Sequence, residues 1–233
     1  PSQRRCGHMG GKVVIPTEPF IEKLVATRLT ADMYDVPTIV IARTDVLNAQ
    51  YLAGYTPDME GADGRYIRGP GEKGLYPFGD PAGNDNNLEA AIARGLAYAP
   101  YADMLWMETS TPDLGVAREF AEAIHEKFPG KALAYNLSPS FFWRGNLDDE
   151  QIRGFMDALS DLGHTYQFST LLTWRQKGVT AFEDAQQMHN PEIGMLALAG
   201  IQSRERAAAE SGYVGVKHQE AVGMGLFDQF GMV

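Results

Sequence analysis

Near the start of the sequence a thiol stands among positive charges, in Arg4-Arg5-Cys6-Gly7-His8. Two guanidinium groups and an imidazole favour the thiolate form of such a cysteine, and Gly7 lets the backbone approach a ligand closely. A thiol so placed can exchange a proton with a carbon acid, although a lone cysteine is more often a small buried hydrophobe. Arg43 directly follows an apolar run and could clamp a carboxylate with two parallel hydrogen bonds; an ion pair with Asp45 or a neighbouring acid is an equal alternative. Glu108, two residues after Trp106, could be a buried acid with a raised pKa or hydrogen-bonded support. Asn136-Leu137-Ser138-Pro139-Ser140 gathers an amide and two hydroxyls, neutral donors suited to a carboxylate product, yet Ser-Pro-Ser is also ordinary turn chemistry. His125, His164, His189 and His218 show no ligand spacing. The Gly-rich tract has no Lys-Ser/Thr after it, so it does not read as a phosphate loop.

The elements that must position these residues alternate between strand-like and helix-like runs. Lys12–Ile15, Thr38–Ala42, Met104–Met107, Ala132–Tyr135 and Tyr166–Ser169 read as strands. The second of them lacks alternation, as expected of a strand covered on both faces. Thr17 to about Met33 reads as a helix capped by Thr17, with Ile21, Leu24, Val25 and Leu29 on one face. Thr111-Pro112-Asp113 reads as a helix start with Thr111 as cap, and Leu114, Ala117, Ala121, Ile124 and Phe128 keep its period up to Pro129-Gly130. Ile152 to Leu162 marks a helix ending at Gly163, and Asn190-Pro191-Glu192 opens a last long helix ending near Gly212. Residues 52–87, rich in Gly and Pro, read as an insertion or mobile surface loop. Strand–helix repetition implies parallel strands with helical crossovers. Polar residues follow the strands at Arg43, Glu108, Asn136 and Thr170, as a β/α barrel enzyme requires; an open sheet is the alternative at even odds.

The chain has 233 residues with 20 basic and 30 acidic side chains, a net charge of −10. That balance argues against nucleic acid and anionic membranes as partners. No apolar run approaches the roughly 20 residues of a membrane span. With no signal-like start and no peroxisomal tripeptide at the end, a cytoplasmic location is expected. One cysteine excludes an intrachain disulfide and a zinc cluster of thiolates.

Taken in order, several segments resemble the isocitrate lyase family. They are Arg5-Cys6-Gly7-His8-Met9-Gly10-Gly11-Lys12, Ile41-Ala42-Arg43-Thr44-Asp45, residues 93–103, Trp106-Met107-Glu108-Thr109-Ser110-Thr111-Pro112-Asp113, Tyr135–Phe141 and Gln167–Leu171. Lys217-His218-Gln219 and the stretch to Asp228 resemble the family's C-terminal lid, placing a lid segment at 213–233. Departures include Arg4-Arg5 where the family has Lys-Lys or Lys-Arg, Leu137 where it has Cys, and Leu172-Thr173-Trp174-Arg175 in place of a Gly- and His-containing stretch. The resemblance implies an α/β fold in which residues 1–233 form the C-terminal part of a (β/α)8 TIM-type barrel, incomplete here with about five βα units. It implies a homotetramer that exchanges helices. The reaction implied is the magnesium-dependent retro-aldol cleavage of isocitrate to glyoxylate and succinate, with the Mg2+ ligands expected upstream of this chain. Cys6 and His8 would then be catalytic, Cys6 delivering the proton. Gly7, His8 and Arg43 would hold glyoxylate or its neighbouring carboxylate, Asn136, Ser138, Ser140 and Thr170 the succinate portion, and Trp106 and Glu108 would line the site. A methylisocitrate lyase, which shares the Cys-Gly-His loop, and an inactive half-barrel that assembles with or regulates a full lyase are the alternatives.

Overall fold

A computed structural model of the chain describes residues 12–56, 63–80 and 87–231. The chain divides into two units at Leu171/Leu172.

The first unit is α/β. Its main sheet holds β2 (Ile41–Thr44), β5 (Met104–Met107), β6 (Ala132–Asn136) and β7 (Tyr166–Phe168) in that order, all parallel. Helices α2 (Leu88–Tyr98), α3 (Leu114–Lys127) and α5 (Asp149–Asp161) connect these strands, α5 after the short turn of helix α4 (Trp143–Asn146). Ala42, Leu105, Met107 and Leu133 are buried in one cluster with Tyr98 of α2 and Phe120 and Ile124 of α3. Gly95 permits the close approach of α2 and α3, because a Cβ there would lie 2.9 Å from both Ile124 and Phe120. A second cluster packs Phe155 and Leu159 of α5 against Tyr135, Ala117 and Phe141. Asp148 starts α5 through a reciprocal capping box with Gln151, which satisfies two otherwise orphaned backbone donors.

Five strands in one sheet, the sequence expectation, becomes four. β1 (Lys12–Val14) pairs with β3 (Ala49–Ala53), which pairs in turn with β4 (Leu75–Pro77), to form a separate small sheet. Residues 52–87 are therefore more than a surface loop: Leu52, Tyr66 and Phe78 are fully buried. The strand expected at 38–42 begins its ladder at Ile41, because the Val40 N–H donates instead to Asp103. Ile39 is exposed, so the run is not covered on both faces.

Helix α1 (Thr17–Met33) has the expected bounds but a different face: Leu24 is buried while Val25 and Leu29 are exposed. Nor does Thr17 cap it. The Thr17 N–H donates to the carboxylate of Asp63 at 2.7 Å, an acceptor 46 residues away. Arg94 closes on the same carboxylate at 2.8 Å and donates to the Ile15 carbonyl, so a buried ion pair ties β1, α1 and α2 to the 63–80 segment. In α3 the cap is Asp113 rather than Thr111, its side chain accepting from Gly115 N and Val116 N.

In the second unit, α6 (Leu172–His189) and α7 (Met195–Ala209) pack on each other, followed by α8 (His218–Ala221) and α9 (Met224–Gly231). Helix α6 was not anticipated, and α7 starts at Met195 rather than at Asn190-Pro191-Glu192. Among the described residues no helix is long and apolar enough to cross a membrane.

Candidate active site

Side chains two apart on a strand share a face, and the register sets those faces side by side. Arg43 pairs with Trp106 and Trp106 with Ala134, while Asn136 pairs with Phe168. The Glu108 N–H donates to the Thr44 carbonyl at 2.9 Å, carrying the ladder one step past the strands. Arg43 and Asp45, Trp106 and Glu108, Asn136, and Thr170 thus stand at the carboxyl ends of four adjacent parallel strands, on the face turned away from α2 and α3.

They form one connected chain of contacts. Arg43 donates from Nε to Asp45 Oδ2 at 2.8 Å and from Nη2 to Asp45 Oδ1 at 2.9 Å. Nη2 also lies 3.7 Å from Glu108 Oε2. The Asn136 amide donates to Glu108 Oε1 at 3.2 Å, and the Thr170 hydroxyl donates to Asn136 Oδ1 at 3.3 Å. The Arg43 guanidinium stacks 4.2 Å from the centre of the Trp106 ring, whose edge-to-face neighbour is Phe168 at 4.9 Å. From the small sheet, Lys12 brings its buried ammonium to 3.8 Å from Asp45 Oδ1.

Glu108 is buried. Burial pushes its carboxyl above the ordinary range; the Arg43 charge and the Asn136 hydrogen bond pull it back, Asp45 adds to the rise and Lys12 opposes it. Behind it, the Tyr135 phenol is pushed up to about 12 by burial and takes a hydrogen bond from Thr109. A buried acid beside a fixed guanidinium can hold a proton at the site, and the guanidinium with the neighbouring amide and hydroxyl can receive a carboxylate.

Of the residues singled out in the sequence, Arg43, Trp106, Glu108, Asn136 and Thr170 come together. The Arg43–Asp45 ion pair and the nearby Glu108 carboxylate match the ion-pair reading of Arg43. Ser138 and Ser140 occupy the turn after β6: the Ser138 hydroxyl accepts from the Ser140 N–H at 3.2 Å and its carbonyl accepts from Trp143 Nε1 at 2.9 Å. Cys6, Gly7 and His8 lie outside the described residues. Lys12 and Asp45 close two of the segments that resemble the family, but nothing in the sequence marked Lys12 for a role, or Asp45 for one beyond pairing with Arg43. Among the described residues no three His, Cys, Asp or Glu side chains stand together as metal ligands. Among the described residues the cluster at the strand ends holds two acids beside two cations, a donor set that does not fit a bound Mg2+.

The model of the isocitrate lyase family matches residues 1–81 and 83–233. The chain belongs to the isocitrate lyase family. It is 48% identical to the isocitrate lyase of Salmonella typhimurium over 229 residues, covering 98% of this chain and 51% of that protein. Against isocitrate lyase 1 of Mycobacterium tuberculosis it is 44% identical over 229 residues, again 98% of this chain and 51% of the relative. A bifunctional glyoxylate cycle protein of Caenorhabditis elegans is 44% identical over 230 residues, 23% of its length. The chain thus spans about half the length of the isocitrate lyases it matches.

Proposed function

We propose that this chain supplies the strand-tip half of an isocitrate lyase active site, cleaving isocitrate to glyoxylate and succinate within a subunit or assembly that contains further residues. The observation that carries the reading is the Arg43–Glu108–Asn136–Thr170 chain at the carboxyl ends of four parallel strands, in a member of this family. In the same reading the main sheet is an arc of a (β/α)8 barrel, residues 213–233 are its lid segment, and the assembly is a homotetramer.

Retro-aldol cleavage removes the proton of the substrate hydroxyl. The carbon–carbon bond then breaks, its electron pair passing to the succinate fragment while the alkoxide carbon becomes the glyoxylate aldehyde. A proton finally quenches the succinate carbanion. Arg43, held by Asp45 and Trp106, meets a carboxylate of the glyoxylate portion. Asn136 and Thr170, with the Ser138–Ser140 turn, receive the succinate portion. Glu108 accepts from the Asn136 amide beside Arg43, and its burial favours the protonated form. The quenching proton is assigned to Cys6 on the family resemblance. Magnesium, when bound, supplies Lewis acidity for the developing charge; its ligands are placed outside the described residues, and none of these steps runs through it.

The test joins the chain to the remaining half of a relative's subunit and measures isocitrate-dependent glyoxylate release with Mg2+ present, alongside an Arg43→Met variant. Release by the parent and a loss of at least about tenfold in the variant is expected, since a bidentate carboxylate contact is removed. No release from a folded assembly, or equal release by the variant, overturns the reading. Methylisocitrate offered in parallel separates the two lyase activities.

A further inference from the structure

Lys12 is the first residue of β1, and its side chain is 5% exposed. An ammonium withdrawn from water is costly unless it is paired. Here Nζ stands 3.8 Å from Asp45 Oδ1, the same oxygen that accepts Arg43 Nη2 at 2.9 Å. Asp45 sits just past β2 with its side chain 30% exposed. Solvent alone would let so short a side chain turn away from the strand end. The enclosed cation on its inner side opposes that turn.

The Arg43 guanidinium is fixed within its plane by the two Asp45 bonds and across its plane by Trp106 at 4.2 Å. Its in-plane orientation therefore depends on where Asp45 is kept. β1 and β2 belong to different sheets, so the ammonium reaches the site from an element that the parallel strands do not otherwise control.

We propose that Lys12 is a positioning residue for Arg43: by holding Asp45 it sets the guanidinium edge that remains turned toward a ligand carboxylate. This rests on the oxo-acid reading above and extends it to a residue that touches no substrate. The role needs the cation at its present place, so Lys12→Arg retains it in part and Lys12→Met abolishes it. Lys12→Met leaves Asp45 paired with Arg43 and partly solvated.

The experiment follows the Arg43 Nε–H by nitrogen-15 NMR in this chain, and glyoxylate binding by calorimetry in its assembly with the complementing half of a relative's subunit. With Lys12→Met, solvent exchange of the Arg43 Nε–H rises and glyoxylate binds about tenfold more weakly, the scale expected of a misplaced binding group. Lys12→Arg recovers most of that loss. In an Arg43→Met background, Lys12→Met costs no further affinity, because the two act as one unit. Additive losses in the double variant, or unchanged Arg43 exchange in folded Lys12→Met, overturn the proposal. Should Lys12→Met not fold, Asp45→Asn probes the same link from its other side, with the same acceleration expected and its absence refuting the idea. A wild-type assembly with the complementing half that takes up no glyoxylate sinks the isocitrate lyase reading. The exchange measurement needs no ligand and decides the Lys12–Asp45–Arg43 link by itself.

Discussion

Replacing Asn136 by leucine removes one donor and one acceptor from the strand ends with little change in volume. Glu108 Oε1 loses the amide at 3.2 Å and the Thr170 hydroxyl loses its acceptor at 3.3 Å. A buried polar atom left unsatisfied costs about 1–3 kcal/mol, and more when it is charged. Glu108 is 1% exposed, so water does not replace the amide. The cost must depend on pH. Burial already raises the folded-state pKa of Glu108 and the Asn136 bond opposes that rise; without the bond the folded pKa climbs further. A carboxyl whose folded pKa is raised contributes stability below its unfolded pKa, near 4.3, and that contribution is lost as pH rises through the folded value. Asn136→Leu should therefore lose about 1 kcal/mol at the acid end of the stable range and about 3 kcal/mol at the alkaline end. Urea unfolding of parent and variant across that range, followed by circular dichroism, measures the difference. A loss that does not change with pH would refute the assignment of Glu108 as the buried proton-holding group.

Two further outcomes follow from buried groups outside the site. Asp63→Asn leaves the 3%-exposed Arg94 guanidinium without its countercharge and should cost about 3–5 kcal/mol in urea unfolding; a loss below about 1 kcal/mol, as for a surface pair, would show that the pair does not brace α1 and α2. His164 is buried against the Ala117 carbonyl, and burial holds its pKa below the usual value. Its neutral form is thus the folded one, so the associated stability is complete above about pH 6.5 and declines as pH falls through the lower folded value; His164→Leu should flatten that acid slope.

Legibility in the sequence tracks the range of the interactions involved. β5 coincides with its expected bounds because Met104–Met107 is a short apolar run between turn residues, and α5 declares itself through the apolar period from Ile152, whose Phe155 and Leu159 are buried. Arg43, Glu108, Asn136 and Thr170 were findable because each follows an apolar run, where strand ends put polar side chains. Helix α6 gave no such signal: none of its residues is buried, and helical periodicity in a sequence is a record of burial. β1 is legible as a strand, but its partners β3 and β4 escape because they lie in or beside a Gly- and Pro-rich stretch without an apolar period. The true acceptor for Thr17 lies 46 positions along the chain, so a local capping rule chose the wrong oxygen.

The charges at the strand ends explain why a buried acid belongs beside the binding guanidinium. Lys12 and Arg43 bring two positive charges, Asp45 one negative charge, and Glu108 a second only when ionised. With Glu108 protonated, these four groups carry a net charge of +1 and form a receptor for a carboxylate. With Glu108 ionised they sum to zero, and an incoming anion meets a carboxylate 3.7 Å from the guanidinium it needs. Burial, the dominant cause of the raised Glu108 pKa, disfavours the charged acid. A bound carboxylate near Arg43 would strengthen the effect, since a second negative charge disfavours ionisation of the first. In the proposed site, carboxylate binding beside Arg43 and protonation of Glu108 therefore favour each other.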